Sequence, residues 1–240
     1  MVDPGHPPAG AMGPSGFREA QANLAVALKL RELLQAKGAQ VIMTRSTDSA
    51  VDLWPRVKLA DTVNAELLVS IHNNALPDGL NPFTNSGSSV FYNQPRSVPL
   101  AMAVQRALVR RLAIRDLGVS RGDLALVRPT WMPSILTEGL FMMLPQQEAA
   151  LRSEAGQAMY AQAVFDGIET FLEGVAGRGV LTSPRHTRQT EPNDSWSLRR
   201  AGAPLFLLLL HGSGPFPCGG QSPEDRAALE KFRDSLAGGG

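Results

Sequence analysis

The chain has almost no cysteine: of 240 residues, only Cys218 carries a thiol. That excludes an internal disulfide framework and a zinc cage built from thiolates. Long apolar runs are missing too. The most compact one, residues 205–210, falls far short of the roughly 18 residues that a membrane-spanning helix needs. No charge dominates, since 23 Lys and Arg against 22 Asp and Glu leave a net charge of +1. Such a balance supplies no broad basic field, so no nucleic-acid partner is expected. Histidine is scarce as well, which confines imidazole chemistry to His6, His72, His186 and His211. The opening residues have neither the basic start nor the apolar stretch of an export signal. They read as the end of a strand running into a loop, so any export signal is expected to lie outside this chain.

Against these absences stands a hydrophobic content of 43%, enough for one globular domain of ordinary size. Residues 3–16 are rich in Gly and Pro and predict a loop. Leu24, Ala27, Leu28, Leu30 and Leu34 recur at helical spacing, predicting a helix over 18–37 with Gly38 just past its end. Further helices are expected over 54–64, 97–112 (with Ser97 as cap), 146–151 and 154–173. Short apolar runs predict strands at 40–44, 66–71, 88–92, 124–127 and 134–137. Strands alternating with helices predict an α/β architecture. The periodic elements end near residue 173. Residues 174–240 therefore read as a linker-like tail, with an apolar run at 204–210 and an amphipathic stretch at 222–236.

Two histidines stand where predicted strands give way to loops, the edge at which α/β folds place their sites. These are His6, in Asp3-Pro4-Gly5-His6, and His72, in Ser70-Ile71-His72-Asn73-Asn74. Two carboxylates occupy similar settings. Glu19 opens the first helix, and Glu138 ends the strand Ile135-Leu136-Thr137. Two imidazoles and one carboxylate form a common catalytic zinc set with one position open. A further carboxylate can take a proton from water and return it to a leaving nitrogen. Taken singly, each residue also has a plainer reading: a loop histidine bonded to its own turn, a strand-end histidine, a first-turn glutamate favoured by the helix dipole, or a buried carboxyl with a partner. Asn74 is a candidate substrate contact, or else holds its loop through a side-chain bond to backbone. Arg45 and Arg56 are expected to brace the fold through ion pairs. The cluster Arg106, Arg110, Arg111 and Arg115 reads as a solvated helix face.

Four blocks in order resemble the zinc-dependent N-acetylmuramoyl-L-alanine amidases of the amidase-3 type, over roughly residues 2–173. They are Asp3-Pro4-Gly5-His6 with Gly16 to Glu19, then Val41 to Asp48 with Leu53 and Arg56, then Ser70 to Ala75, and finally Leu136 to Phe141. The resemblance implies a single domain with a mixed twisted sheet flanked by helices. It also implies one zinc ion per chain on His6, Glu19 and His72, with Glu138 as general base and acid. The implied substrate is the peptidoglycan amide between N-acetylmuramic acid and L-alanine. The enzyme would then be a monomer outside the cytoplasm, in the periplasm or the cell wall. Three positions depart from the family pattern. Pro7-Pro8 replaces a second Gly, Asp61 an Asn, and Met142-Met143 a Ser-Asn pair.

Other classes remain to be weighed. A wall-binding module without catalysis would typically lose a ligand or the glutamate, whereas this chain keeps all four residues. A zinc peptidase would share the chemistry but not depend on the sugar. Gly118-Val119-Ser120-Arg121-Gly122 fits the G-x-S-x-G pattern of serine hydrolases, but it follows a polar helix rather than a buried strand.

Overall fold

A computed structural model describes residues 1–77 and 79–177; the expectations for 204–210, 222–236, His186 and His211 lie outside them. Five strands form one mixed sheet in the order β1-β2-β5-β3-β4. They are β1 (Val2–Pro4), β2 (Leu68–Asn74), β3 (Ser88–Tyr92), β4 (Asp116–Arg121) and β5 (Ser134–Phe141). The pairs β1/β2, β2/β5 and β3/β4 are parallel, and β3/β5 is antiparallel. The helices are α1 (Glu19–Ala36), α2 (Leu53–Thr62), α3 (Pro82–Asn85), α4 (Val98–Leu112), α5 (Pro145–Arg152) and α6 (Glu154–Ala176). No helix among the described residues is long and apolar enough to cross a membrane.

The alternation of side chains along a strand assigns the two faces of the sheet. Val69 and Ile71 of β2 join the main core with Val26 and Leu30 of α1, Leu100, Val104 and Leu108 of α4, and Val164 and Ile168 of α6. Leu68 points the other way. It packs with Ala60 of α2, Leu126 and Met132 in a smaller cluster. His72 shares the parity of Leu68, so it leaves the sheet on the α2 side, at the C-terminal edge of β2.

Several expectations are corrected. Residues 40–44 form no strand. They make one parallel bridge, Met43 to Val2, with Val2 N donating to Ile42 O and Thr44 N to Val2 O. A three-residue β1 offers too little edge for a longer ladder. Residues 124–127 are not a strand either. Ala125–Val127 form a 3-10 turn whose Leu126 and Val127 are buried, because a short apolar run does not distinguish a strand from a buried turn. β4 was not expected: Asp-Leu-Gly-Val-Ser-Arg is a mostly exposed edge strand whose apolar alternation is only Leu117 and Val119 about a glycine. α3 lies where no element was expected. Ser97 does not cap α4; its Oγ accepts instead from Ser134 N at 2.9 Å. On α1 the buried stripe runs through Ala22, Asn23, Val26, Ala27 and Leu30, leaving Leu24 and Leu28 half-buried.

Candidate metal centre

β1 is short, yet all three of its residues are buried, and they carry the chain directly to the site. Asp3 is the anchor. Its carboxylate accepts from Thr44 Oγ1, Ser70 Oγ and, at 2.9 Å, Arg56 Nη1. Arg56 is 2% exposed and also donates to the carbonyls of Pro4, His6, Pro7 and Val51. Arg45 donates to Pro4 O, Gly5 O, Ala20 O and Thr47 O. The two arginines thus serve as the expected braces, and most of their partners are backbone carbonyls rather than acids. A guanidinium can satisfy several carbonyls at once because it presents five donors in one plane. Here it holds a loop that has no ladder of its own. Within that loop His6 adopts a left-handed backbone (φ 55), an uncommon conformation that surrounding contacts must hold in place.

The structure brings His6, Glu19 and His72 together, with one ligand atom from each within 4.8 Å of the others. His6 Nε2 lies 3.3 Å from Glu19 Oε2, and His72 Nδ1 lies 3.1 Å from Glu19 Oε1. The two rings meet edge to face with centroids 4.9 Å apart. His6 Nδ1 faces Pro8 O at 3.1 Å. A bond there places the proton on Nδ1 and turns the Nε2 lone pair toward the cluster, the usual arrangement of a metal-ligating histidine.

Glu19 is buried and heavily bonded. Its Oε2 accepts from Ala11 N at 2.9 Å, and its Oε1 from Asn23 Nδ2 at 3.1 Å and Asn73 N at 3.2 Å. Burial pushes this carboxyl up, but the hydrogen bonds from His6 and His72 outweigh it and hold it well below the usual carboxylate range. The same bond to Glu19 raises His6, against the opposing effect of its burial. An anionic carboxylate between two imidazoles is a donor set that fits a divalent cation.

Glu138 stands beside this cluster, because β5 pairs with β2 so that His72 and Glu138 are register partners. Its Oε2 is shut off from solvent and has no hydrogen-bond partner. Burial raises its pKa to about 7, helped by the charge of Glu19 and opposed by His72 and His6. A buried carboxyl whose pKa is raised toward neutrality, on the strand position paired with His72, has the properties of a proton-transfer group. Gly139 follows it because a Cβ there would stand 2.2 Å from Tyr160 Cζ. The Tyr160 hydroxyl donates to His72 O at 2.8 Å and pairs with Thr137 Oγ1 at 2.7 Å, tying α6 to both site strands.

Asn74 lies at the end of β2, where its backbone carbonyl accepts from Met142 N at 2.9 Å. Two residues not singled out from the sequence hold the site instead. Asn23 donates to Gly5 O and Glu19, and accepts from Asn73 Nδ2 at 3.0 Å. Asn73 accepts from Leu140 N at 3.1 Å. Their visible signal was an asparagine four residues after Glu19 on a helix, and one beside His72. The departure at Met143 also bears contact: its Sδ accepts from Leu76 N at 3.1 Å. Ser120 lies within exposed β4 and not at a strand-to-helix turn, so the serine-hydrolase pattern has no elbow.

Comparisons with known proteins point to one family. The family model described as N-acetylmuramoyl-L-alanine amidase matches residues 1–170. The N-acetylmuramoyl-L-alanine amidase LytC of Bacillus subtilis is 32% identical over 177 residues, covering 71% of this chain and 35% of that protein. The chain thus spans about a third of that relative's length. Among solved structures, the N-acetylmuramoyl-L-alanine amidase AmiC2 of Nostoc punctiforme superposes with a TM-score of 0.67 at 31% identity, covering 72% of this chain and 95% of that one. The catalytic domain of the amidase CwlV from Bacillus (Paenibacillus) polymyxa gives 0.65 at 32% identity, covering 72% and 96%. With the family model spanning well over half of its length, the chain belongs to the N-acetylmuramoyl-L-alanine amidase family.

Proposed function

We propose that the chain is a zinc-dependent amidase that cuts the amide joining the lactyl group of N-acetylmuramic acid to the first L-alanine of the peptidoglycan stem peptide. His6, Glu19 and His72 would hold one zinc ion per chain. The observation that carries the reading is the union of that ligand set with Glu138, a buried carboxyl with an unpartnered oxygen. When bound, the ion supplies the Lewis acidity that makes water nucleophilic near neutral pH.

The chain's own residues do the rest. Glu138 takes a proton from the attacking water as the new C–O bond forms at the lactyl carbonyl carbon. It returns that proton to the alanine nitrogen as the C–N bond breaks, releasing a lactyl carboxylate and a free stem peptide. A carboxyl whose pKa is pushed to about 7 suits both halves of this transfer. Asn74, at the end of β2, is a substrate contact in this reading. In this reading the enzyme works where its substrate lies, outside the cytoplasm in the periplasm or cell wall, and acts as a monomer.

The test pairs metal content with muropeptide hydrolysis, on the wild type and on Glu138→Ala. Both proteins are expected to hold about one zinc each, with only the wild type releasing free stem peptide. A wild type that holds zinc and releases no peptide from muropeptides would overturn the reading.

A further inference from the structure

The segment that delivers Glu19 to the cluster is a small hairpin. Met12 and Arg18 form an antiparallel bridge. Around it Glu19 N donates to Ala11 O, Gly13 N to Phe17 O and Gly16 N to Gly13 O. Ala11 N returns to Glu19 Oε2 at 2.9 Å, and that same oxygen lies 3.3 Å from His6 Nε2. The position of the hairpin thus sets the direction of one carboxylate oxygen in the cluster.

The tip of this hairpin, residues 14–16, is exposed, yet a buried carboxylate holds it. Glu148, in the first turn of α5, is 4% exposed. Its Oε1 accepts from Ser15 Oγ at 2.6 Å and from Ser15 N at 3.0 Å, and its Oε2 lies 3.2 Å from the same amide. Gly13 makes room for it, since a Cβ there would collide with Oε1. Both donors are neutral, and among the described residues no cation pairs with Glu148. Withdrawing a carboxylate from water without a cation beside it is costly. In return, an ionised acceptor makes stronger hydrogen bonds than a neutral one. Phe17 already packs the hairpin against the main core, so the clamp adds direction rather than bulk support.

The same helical turn reaches the other side of the site. Gln147 Oε1 accepts from Phe141 N at 2.6 Å, at the end of the strand that carries Glu138. Two adjacent side chains of α5 therefore fasten the hairpin of Glu19 and the strand of Glu138 to one short helix.

We propose that Glu148 is a positioning residue of the metal centre: through Ser15 it holds the hairpin that aims Glu19 at the ion. The assignment rests on the ligand set proposed above. The experiment measures zinc affinity by chelator competition on the full chain and on its Glu148→Ala, Glu148→Gln, Ser15→Ala and Ser153→Ala variants. The visible spectrum of each cobalt-substituted protein is recorded beside it, because its bands follow ligand geometry. Glu148→Ala is expected to bind zinc about tenfold more weakly, with a shifted cobalt spectrum. Glu148→Gln keeps an acceptor for Ser15 and should return to within about threefold of the wild type. Ser153→Ala removes the cap of α6, far from the hairpin; it should lower the melting temperature and leave zinc affinity and spectrum unchanged. Should Glu148→Ala fail to fold, Ser15→Ala, on the exposed tip, reads the same change as a loss of about threefold. Wild-type affinity and spectrum in the alanine variants, no recovery in Glu148→Gln, or an equal loss in Ser153→Ala overturns the proposal. Stem-peptide release from muropeptides, measured on the same preparations, separates the two readings. Zinc affinity that depends on Glu148 in a protein releasing no peptide sinks the amidase and leaves the positioning role. Release with zinc affinity indifferent to Glu148 does the reverse.

Discussion

Gly5 lies against the imidazole of His72 so closely that a Cβ built on it would stand 2.2 Å from Nε2 and 2.3 Å from Cε1. β1 and β2 are parallel neighbours, and Gly5 N donates to Ile71 O at 2.9 Å, so the loop leaving β1 passes directly over the ring. Gly5→Ala must displace one ligand or the backbone of the other. Metal affinity is expected to fall on the order of 10- to 100-fold, with the far-ultraviolet spectrum unchanged. Titration against a competing chelator measures it, and an unchanged affinity would show that the loop yields without moving His72.

Asn23 links Glu19, Gly5 and Asn73 without facing the metal position itself. Asn23→Ala removes a donor to Glu19 and leaves the amide of Asn73 unpaired on that side. The expected result is weaker metal binding, about tenfold, with recovery of hydrolysis when excess zinc is supplied. A loss of activity that zinc does not rescue would assign Asn23 a different role.

The metal-free protein should show a pH signature from Glu138. Its folded pKa of about 7 lies above the unfolded value near 4.5, so the folded state binds the extra proton between these values. Stability from this group is full below about 4.5 and is lost as pH rises through about 7. Glu138→Gln removes that loss. In urea with a chelator present, the variant should gain on the order of 2–3 kcal/mol over the wild type at pH 8, and far less at pH 5. Glu19 acts in the opposite sense: its depressed pKa contributes stability at neutral pH that disappears as the solution becomes acid. An equal gain for Glu138→Gln at both pH values would contradict the burial of this carboxyl.

Arg56→Lys tests the brace. Lysine keeps the charge beside Asp3 but cannot reach Asp3 and four carbonyls together. A loss of about 3 kcal/mol in unfolding free energy is expected, read from denaturant melts of the metal-free protein. A loss below about 1 kcal/mol would mean that the arginine is dispensable to the loop.

Zinc should stabilise the fold, since the proposed ligands come from the loop after β1, from α1 and from β2 and meet only in the native state. At about a thousand times its dissociation constant the gain is roughly 4 kcal/mol. Thermal melts with and without chelator read it directly. Equal melting temperatures would argue against the His6, Glu19 and His72 set.

Much of this site was legible before folding because ordered motifs name residue types. His6, Glu19, His72 and Glu138 stand at element ends, where chemistry concentrates, and their blocks occur in a recognisable order. The long helices were legible for the same kind of reason. Leu100, Val104 and Leu108 repeat at helical spacing and are all buried in α4. What escaped carried too short a signal. β4 alternates only Leu117 and Val119 about a glycine and is largely exposed, residues 124–127 are too short to declare a period, and the run at 40–44 depended on how much edge β1 could offer.

The amino-acid sequence by itself determined the α/β class, the major helices and the four candidate site residues, because apolar period and local motif are properties of neighbouring positions. Only the tertiary structure decided that Arg56 and Arg45 hold backbone carbonyls, that Asn23 and Asn73 fasten Glu19, and that His6 and His72 meet on its carboxylate. Those relationships join residues far apart in the chain. Strand register and loop closure bring them together, and no local pattern encodes which distant donor will meet which acceptor.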